Sequence, residues 1–502
     1  MFIRNRCIDV LSVAWLAIGV VVFMLGWCQW YVSLPLTLLM IGLTVKMYVK
    51  ADAYESTGIS VSKLLLALAI VVVMMAVCGI GGYVVQPNDH FGRNAIFTDT
   101  WRYSWPVYDK SEGLYQCYYL GFWMVPAVVG KLFHSLDIGF LAQLVWLSTG
   151  FLLLYLQICR YMGKARLSYL FFFYFFSGLK LLECIAFLPL MGDGFLKETV
   201  NVLATNGSPQ VFHAGPMVQL LYDPFNQTIP LFLGMMVMIN NTRSAMIPFI
   251  YALLLLYAPF PFAGLAPMVL YWWIRNTKDR PGNFCINIFN IENITALLVI
   301  ALVALYLLYN INGSNKGLRP SSHWGEDIYG FVVYMMFEFL IYFVIAYKVC
   351  QDKALLWVGL ISVSVMGWFQ IGLHNDFCFR SNMPFIFLLC LLVMRRYYSA
   401  LAGRRVRALV LACYMIGGLP AQIHPGLRLI SSYFVYTHQS QTVLNQYQNI
   451  MDVRKMYIMQ QTKTRNDDLK STFHCGSWGW MCDSFKGRPD SFFFQFIAKP
   501  VE

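Results

Sequence analysis

The sequence predicts an all-α, polytopic integral membrane protein of about thirteen transmembrane helices with interfacial helices on its outer face. Three observations predict it. Hydrophobic residues make up 58% of the 502 and charged residues only 12%, where a soluble domain carries about 25% charged residues. The apolar residues run in blocks near the ~20 residues that a spanning helix needs. The net charge of +12 is spread over short basic clusters between those blocks. This pattern fits membrane loops and anionic headgroups better than a nucleic-acid-binding surface, and no nucleic-acid partner is expected.

Taken in order, the spans are Asp9–Trp27, Tyr31–Lys50 and Val61–Val85, then Gly139–Tyr161 and Leu167–Leu190. Three shorter ones follow at Gln227–Asn240, Ser244–Tyr257 and Phe260–Ile274. The last five are Ile294–Tyr309, Tyr329–Cys350, Leu355–Ile371, Pro384–Met394 and Ala408–Leu419. The stretch Tyr115–Phe133 is apolar too, but Gly121, Pro126 and Gly130 interrupt it, and Pro removes a backbone donor. If it crossed, Arg160, Lys164 and Arg166 would fall outside. Laid along the outer surface, it leaves nineteen Lys and Arg in the inner short loops against about eight outside. The positive-inside bias therefore sets a cytoplasmic N-terminus. Residues 1–420 form one membrane domain, and 421–502 a short tail on the outside.

Four polar segments then share the outer side: 86–138 (its polar part Gln86–Leu114), 191–226, 310–327 and 372–383. Loops held by a rigid scaffold are where function concentrates. The thirteen cysteines show no metal-ligand spacing, and Cys28, Cys78, Cys184 and Cys390 act as small hydrophobes within apolar runs. Cys475 and Cys482 lie in polar sequence and pair if that region meets an oxidising compartment. Among the recognised short motifs, no P-loop, nucleophile elbow, GxGxxG or HExxH occurs.

The first outer segment, QPNDHFGRNAIFTDTWRYSWPVY, gathers Asp89, His90, Arg93, Asp99, Trp101, Arg102 and Trp105 directly after a span. A plain interfacial belt of aromatics would look similar. A carboxylate at that boundary, partly desolvated, is a better proton acceptor. Arg93 lies one helical turn beyond Asp89, which suits either a weak surface ion pair or a base beside a cation for a phosphate. The pattern Asn-Asp-x3-Arg recurs at Asn375, Asp376 and Arg380, so the two could converge on one cleft. The 191–226 segment adds Lys197, His213, Asp223 and Gln227 as polar candidates and Tyr222 and Phe225 as stacking surfaces; loops of this length are usually functional or disordered. Lys180 and Glu183 form an intramembrane pair, and Glu338 is a lone intramembrane acid.

This layout resembles the GT-C class of membrane glycosyltransferases. The resemblance rests on Asn88-Asp89 opening the first large outer loop, the aromatic segment Trp101–Phe133, the basic turn CRYMGKAR after the next span, and the short later spans. It covers roughly residues 62–275. The stretches NDHFGRNAIFTDTWRYSWPV and LHNDFCFRSNMP also look like ones in uncharacterised bacterial envelope proteins of this type. The chain differs from the class in carrying Asn-Asp where paired acids are common, in two extra spans before the loop, and in having no large outer domain.

The resemblance implies an enzyme of the bacterial inner membrane that moves a sugar from a polyprenyl-phosphate carrier to a glycan, lipid or protein acceptor on the outer face. Asp89 is then the base on the acceptor. Asn88, His90, Arg93, Asp99, His213, Asp223, Asp376 and Arg380 are the substrate contacts, with the arginines toward the phosphate. The class includes relatives that use a divalent metal, for which Asp89, His90 and Asp99 are the candidate ligands here; the residues themselves fix no cofactor. Two other readings are a transporter or flippase of a lipid-linked glycan, using Lys180, Glu183 and Glu338, and a surface-polysaccharide polymerase or ligase relying on the outer arginines alone.

Overall fold

The computed structural model describes residues 2–50, 56–84, 86, 89–191, 212, 214–279, 287–310, 319–320, 328–371, 375–399, 402–417, 430 and 485–501. It is built of helices, joined by three small antiparallel sheets.

Among the described residues, five helical stretches are long and apolar enough to cross a membrane: Asn5–Trp27, Trp30–Met47, Leu136–Met162, Ile328–Tyr347 and Asp376–Tyr398. Four shorter apolar helices lie at Val61–Val77, Gly121–Leu132, Ile291–Leu307 and Lys353–Met366. The count of long helices is thus lower than the thirteen blocks of the sequence. Two of the blocks break internally, and others form shorter helices. The Val61–Val85 block stops being helical after Val77, where Gly79, Gly81 and Gly82 take φ of 87°, 80° and 75°, a region open to glycine. The Leu167–Leu190 block splits into Ser168–Tyr174 and Lys180–Met191.

The first elements are α1 (Asn5–Trp27), α2 (Trp30–Lys50) and α3 (Val61–Val77). On α2, Leu34, Leu38, Ile41 and Val45 are all exposed. Their spacing of four, three and four places them on one face, as a lipid-facing stripe requires. Inside, Asp9 on α1 accepts from Arg160 Nη1 at 2.5 Å and from Gln157 Nε2 at 2.9 Å. This pairing satisfies a carboxylate that is otherwise costly to bury.

The Gln86–Leu114 stretch is not a loop. It opens with a fourteen-residue helix, α4 (Asp89–Arg102), whose His90, Arg93, Asn94, Thr98, Asp99 and Thr100 are buried. The polar residues face inward because they are paired there. Asn94 donates to Gln86 Oε1 at 2.8 Å, Gln86 to the Gly79 carbonyl at 2.8 Å, and Thr100 to Gln116 Oε1 at 3.0 Å. The apolar Tyr115–Phe133 stretch divides into a strand at Leu114–Gln116 and α5 (Gly121–Leu132). Twelve residues rise only about 18 Å, short of the ~30 Å hydrocarbon core. α5 packs beside α1 and α6 (Leu136–Met162). The close approach depends on Gly19 and Gly121: a Cβ on Gly19 would stand 2.4 Å from the Gly121 carbonyl and 2.1 Å from the Tyr257 hydroxyl.

Beyond α6 come α7 (Ser168–Tyr174), α8 (Lys180–Met191), α9 (Met217–Tyr222), α10 (Phe225–Asn240), α11 (Ile247–Leu254), α12 (Pro259–Asp279) and α13 (Ile291–Leu307). α14 (Ile328–Tyr334) runs through a π-helical turn, Met335–Leu340, into α15 (Ile341–Tyr347). The series closes with α16 (Lys353–Met366), α17 (Asp376–Ser381), α18 (Met383–Tyr398) and α19 (Arg404–Gly417). α10 and α18 are apolar and buried all round along most of their length, the mark of bundle-centre helices. Their Phe232 and Phe387 rings stack at 4.3 Å.

Residues 485–501 of the C-terminal segment are packed, not free. The strand Lys486–Gly487 pairs with Leu114–Gln116, which also pairs with Tyr108–Asp109. Phe493 meets Tyr306 at 5.1 Å, and the Gln29 and Lys499 amides bond to the Ile497 and Trp27 carbonyls. Cys475 and Cys482 lie outside the described residues.

Candidate functional site

Two arginines distant in sequence both act on one buried hydroxyl, that of Tyr118. Arg93 comes from the second turn of α4 and Arg380 from α17. Asn375 opens α17: it adopts φ 50° and its Oδ1 accepts from the Cys378 amide at 3.2 Å, a side-chain N-cap. One turn later Arg380 Nη2 stands 3.2 Å from Asp376 Oδ1, and its Nη1 donates to the Tyr119 hydroxyl at 3.1 Å. Its Nε–H is buried and meets no acceptor among the described residues.

Arg93 Nη2 donates to Asp223 Oδ1 at 3.1 Å and its guanidinium lies 5.6 Å from the centre of the Phe225 ring. Asp223 and Phe225 flank the joint between α9 and α10. Both arginines act electrostatically on the Tyr118 hydroxyl, and Asp223 acts on Arg380. The two N-D-x3-R segments thus bring their arginines near one hydroxyl, and Asp223 acts on both.

The centre of the cluster is a pair of tyrosines. Tyr119 accepts from Arg380 and from Gln227 Nε2, the latter at 3.2 Å, and shares a hydrogen bond with the neighbouring Tyr118 hydroxyl. The rings lie 3.7 Å apart. The segment is held from behind, where the Tyr118 amide donates to the Tyr306 hydroxyl at 3.0 Å and Asn310 Nδ2 donates to the Cys117 carbonyl at 2.7 Å. Burial, then the adjoining Tyr119, push the Tyr118 hydroxyl well above the ordinary tyrosine value, so it stays protonated and can donate. Asn226, at the start of α10 between Phe225 and Gln227, is 1% exposed, yet neither its amide oxygen nor its nitrogen meets a partner among the described residues. An unmet buried amide costs about 1–3 kcal/mol, unless another group completes it.

The other expected residues fall as follows. Asp89 is the first residue of α4. Asn88, His213 and Lys197 lie outside the described residues. His90 Nε2 is 2.6 Å from the Tyr222 carbonyl and its ring packs on Phe225 at 5.1 Å. Asp99 is buried ten residues along α4 from Asp89, about 15 Å by helical rise, so those two are separated along the helix. Among the described residues no group of three or more His, Cys, Asp or Glu comes together as metal ligands. Tyr222 and Phe225 are buried, and Phe225 is occupied by His90, Phe122 and Arg93, so it is a packing residue and not an open stacking face.

Sequence reasoning missed Tyr118, Tyr119 and Asn226. The two tyrosines stand in an apolar run, YQCYYLGFW, and the repeat of two aromatic hydroxyls there was the available signal. It also treated Glu338 as isolated. Lys180 Nζ lies 2.6 Å from Glu338 Oε1 and 3.0 Å from Glu183 Oε2, with all three side chains at most 2% exposed. Gly178 makes room, since a Cβ there would stand 1.7 Å from Glu338 Oε2.

No protein-family model matches the chain, and no curated protein or solved structure matches it either.

Proposed function

We propose that the chain is a membrane glycosyltransferase that moves a sugar from a polyprenyl-phosphate carrier to a glycan, lipid or protein acceptor. One observation carries the reading: Arg93 and Arg380, from separate segments, gather with Asp223 around the Tyr118–Tyr119 hydroxyls. In this reading Asp89 takes the proton of the acceptor hydroxyl. The acceptor oxygen attacks the anomeric carbon, and the bond from that carbon to the phosphate oxygen breaks. The carrier leaves as a polyprenyl phosphate, whose growing charge the two guanidinium groups stabilise. Asp223 and Asp376 hold the arginines in place before the substrate arrives. The Asn226 amide is a further group for a sugar hydroxyl. The site would face the outer side, with the N-terminus cytoplasmic, in a bacterial inner membrane.

A second reading, a transporter or flippase of a lipid-linked glycan, draws on the buried Lys180, Glu183 and Glu338 cluster, because intramembrane charges often line a path.

The test uses the purified chain in nanodiscs with a panel of radiolabelled polyprenyl-phosphate sugars, wild type beside Asp89→Asn. Transfer or release of sugar that vanishes in the variant supports the transferase. Lipid binding without turnover, unchanged in the variant, supports the transporter.

A further inference from the structure

A second cluster of cations lies far along the bundle from Arg380. Arg380 and Arg395 lie on one helical stretch, Asp376–Tyr398. Fifteen residues at 1.5 Å each separate them by about 22 Å. Around Arg395 a cavity of about 420 Å³ opens between the end of α6, the turn after it, and the end of α18. Arg160, Lys164, Arg166 and Arg395 line it together with Tyr161 and Tyr398, and no carboxylate does.

The charges near this cavity do not balance. Arg160 is paired with Asp9. Two helix C-termini, those of α6 and α18, each offer about half a negative charge. Set against four cations, these leave about two positive charges unmatched, and Arg407, which donates to the Ser399 carbonyl at the cavity wall, adds to the excess. Basic residues in a last helical turn often do no more than answer the helix dipole. Here they outnumber what two dipoles require.

The aromatic rings arrange the cations. Arg166 lies 5.3 Å from the Tyr398 ring centre, and Arg395 lies 5.3 Å from that of Tyr161 and donates to its hydroxyl at 3.3 Å. A guanidinium laid on a ring is held in place, and its in-plane N–H groups stay available to a planar or tetrahedral anion. Three arginines and a lysine between helix ends, with Tyr161 and Tyr398 beside them, have the chemistry that receives a phosphorylated headgroup.

We infer that this cavity, formed by Arg160, Lys164, Arg166 and Arg395, is a binding site for a phosphate-bearing anion, the headgroup of an anionic membrane lipid. It stands apart from the Arg93–Arg380 cluster and does not depend on the function proposed for that cluster. A bound phosphodiester offsets the repulsion among the cations and ties the end of α6 to the end of α18.

The test measures the thermal unfolding midpoint of the full chain in phosphatidylcholine nanodiscs, in discs containing phosphatidylglycerol, and in phosphatidylcholine discs with millimolar inorganic phosphate. The variant is Lys164→Gln with Arg166→Gln. The expected result is a rise of about 2–4 °C in the phosphatidylglycerol discs, absent with inorganic phosphate and lost in the variant. A rise with inorganic phosphate as well, equally lost in the variant, keeps the anion site and makes its ligand a free phosphate. No rise in the wild type, or the same rise in both proteins, overturns the inference. If the double variant does not fold, Lys164→Gln alone serves, since that side chain is exposed, and about half the rise is expected to disappear.

Discussion

Arg93 Nη2 stands 3.1 Å from Oδ1 of Asp223, 130 positions further along the chain. The Arg93 side chain is 7% exposed and that of Asp223 is 21% exposed. A pair so enclosed does more than decorate a surface, because removing one partner strands the other's charge. On the proposed function, Arg93→Ala reduces sugar transfer about 100-fold or more. Arg93→Lys should recover little, because an ammonium lacks the planar fork. Asp223→Asn should lower activity less. In a double-mutant cycle Arg93→Ala and Asp223→Asn should be strongly non-additive; additive losses would separate the two residues.

Arg380 is tied to Tyr119 by a single hydrogen bond of 3.1 Å. Tyr119→Phe should therefore loosen Arg380 without removing its charge. A rise in KM for the lipid-phosphate donor of about 10-fold, near one lost charge-assisted bond, is expected, while Arg380→Ala should lower kcat as well. Steady-state kinetics with the donor varied checks both.

Lys180 sits between two carboxylates in a place water does not reach. Lys180→Met leaves both behind and should cost about 3–5 kcal/mol. Glu338→Gln keeps a polar group of similar size and should cost clearly less. Denaturation in mild detergent, followed by fluorescence, ranks them. A Lys180→Met protein as stable as wild type would mean that the cluster is not a charged one.

Gly264 permits α12 to touch the end of α17, where an added Cβ would stand 1.8 Å from the Ser381 carbonyl. Backbone cannot give way as a flexible side chain can. Gly264→Ala is expected to destabilise by about 1–3 kcal/mol and to displace the segment that carries Arg380. Activity should fall even where the protein remains folded, and a size-exclusion profile beside the transfer assay separates the two effects.

Cys28, just past α1, is fully buried, and burial pushes its thiol up to about 12. At pH 8 only about one thiol in ten thousand is then a thiolate, the reactive form. Native protein should leave Cys28 unlabelled by maleimide, and mass spectrometry should find it modified only after denaturation.

The blocks that became helices were readable because an apolar run needs only composition to declare itself. The breaks within them were less so. Gly79, Gly81 and Gly82 end α3 early through left-handed backbone angles, which a hydropathy scan does not see. α4 was legible only as one helical turn from Asp89 to Arg93, because its polar residues point inward to Gln86, Gln116 and Asp223 and it lacks the apolar stripe that identifies a longer helix. The meeting of Arg93 and Arg380 was legible as a repeated N-D-x3-R pattern on one side. The Arg380–Tyr119 hydrogen bond and the pull of both arginines on Tyr118 were not, because two hydroxyls in a run of apolar residues read as membrane. The same holds for Glu338, whose partner Lys180 lies in another helix.

The strand pairing of Tyr115 with Gly487 and Gln116 with Lys486 has a consequence for biosynthesis. A ribosome makes residues 114–116 several hundred residues before their partner. Throughout that interval the sheet beneath Tyr118 and Tyr119 presents an open edge, the kind of surface that recruits stray strands. Closure comes only when residues 485–501 arrive and clasp α1 through the Trp27 carbonyl. The sheet is therefore completed late in synthesis, and a polypeptide interrupted before Phe485 would lack the strand that closes it.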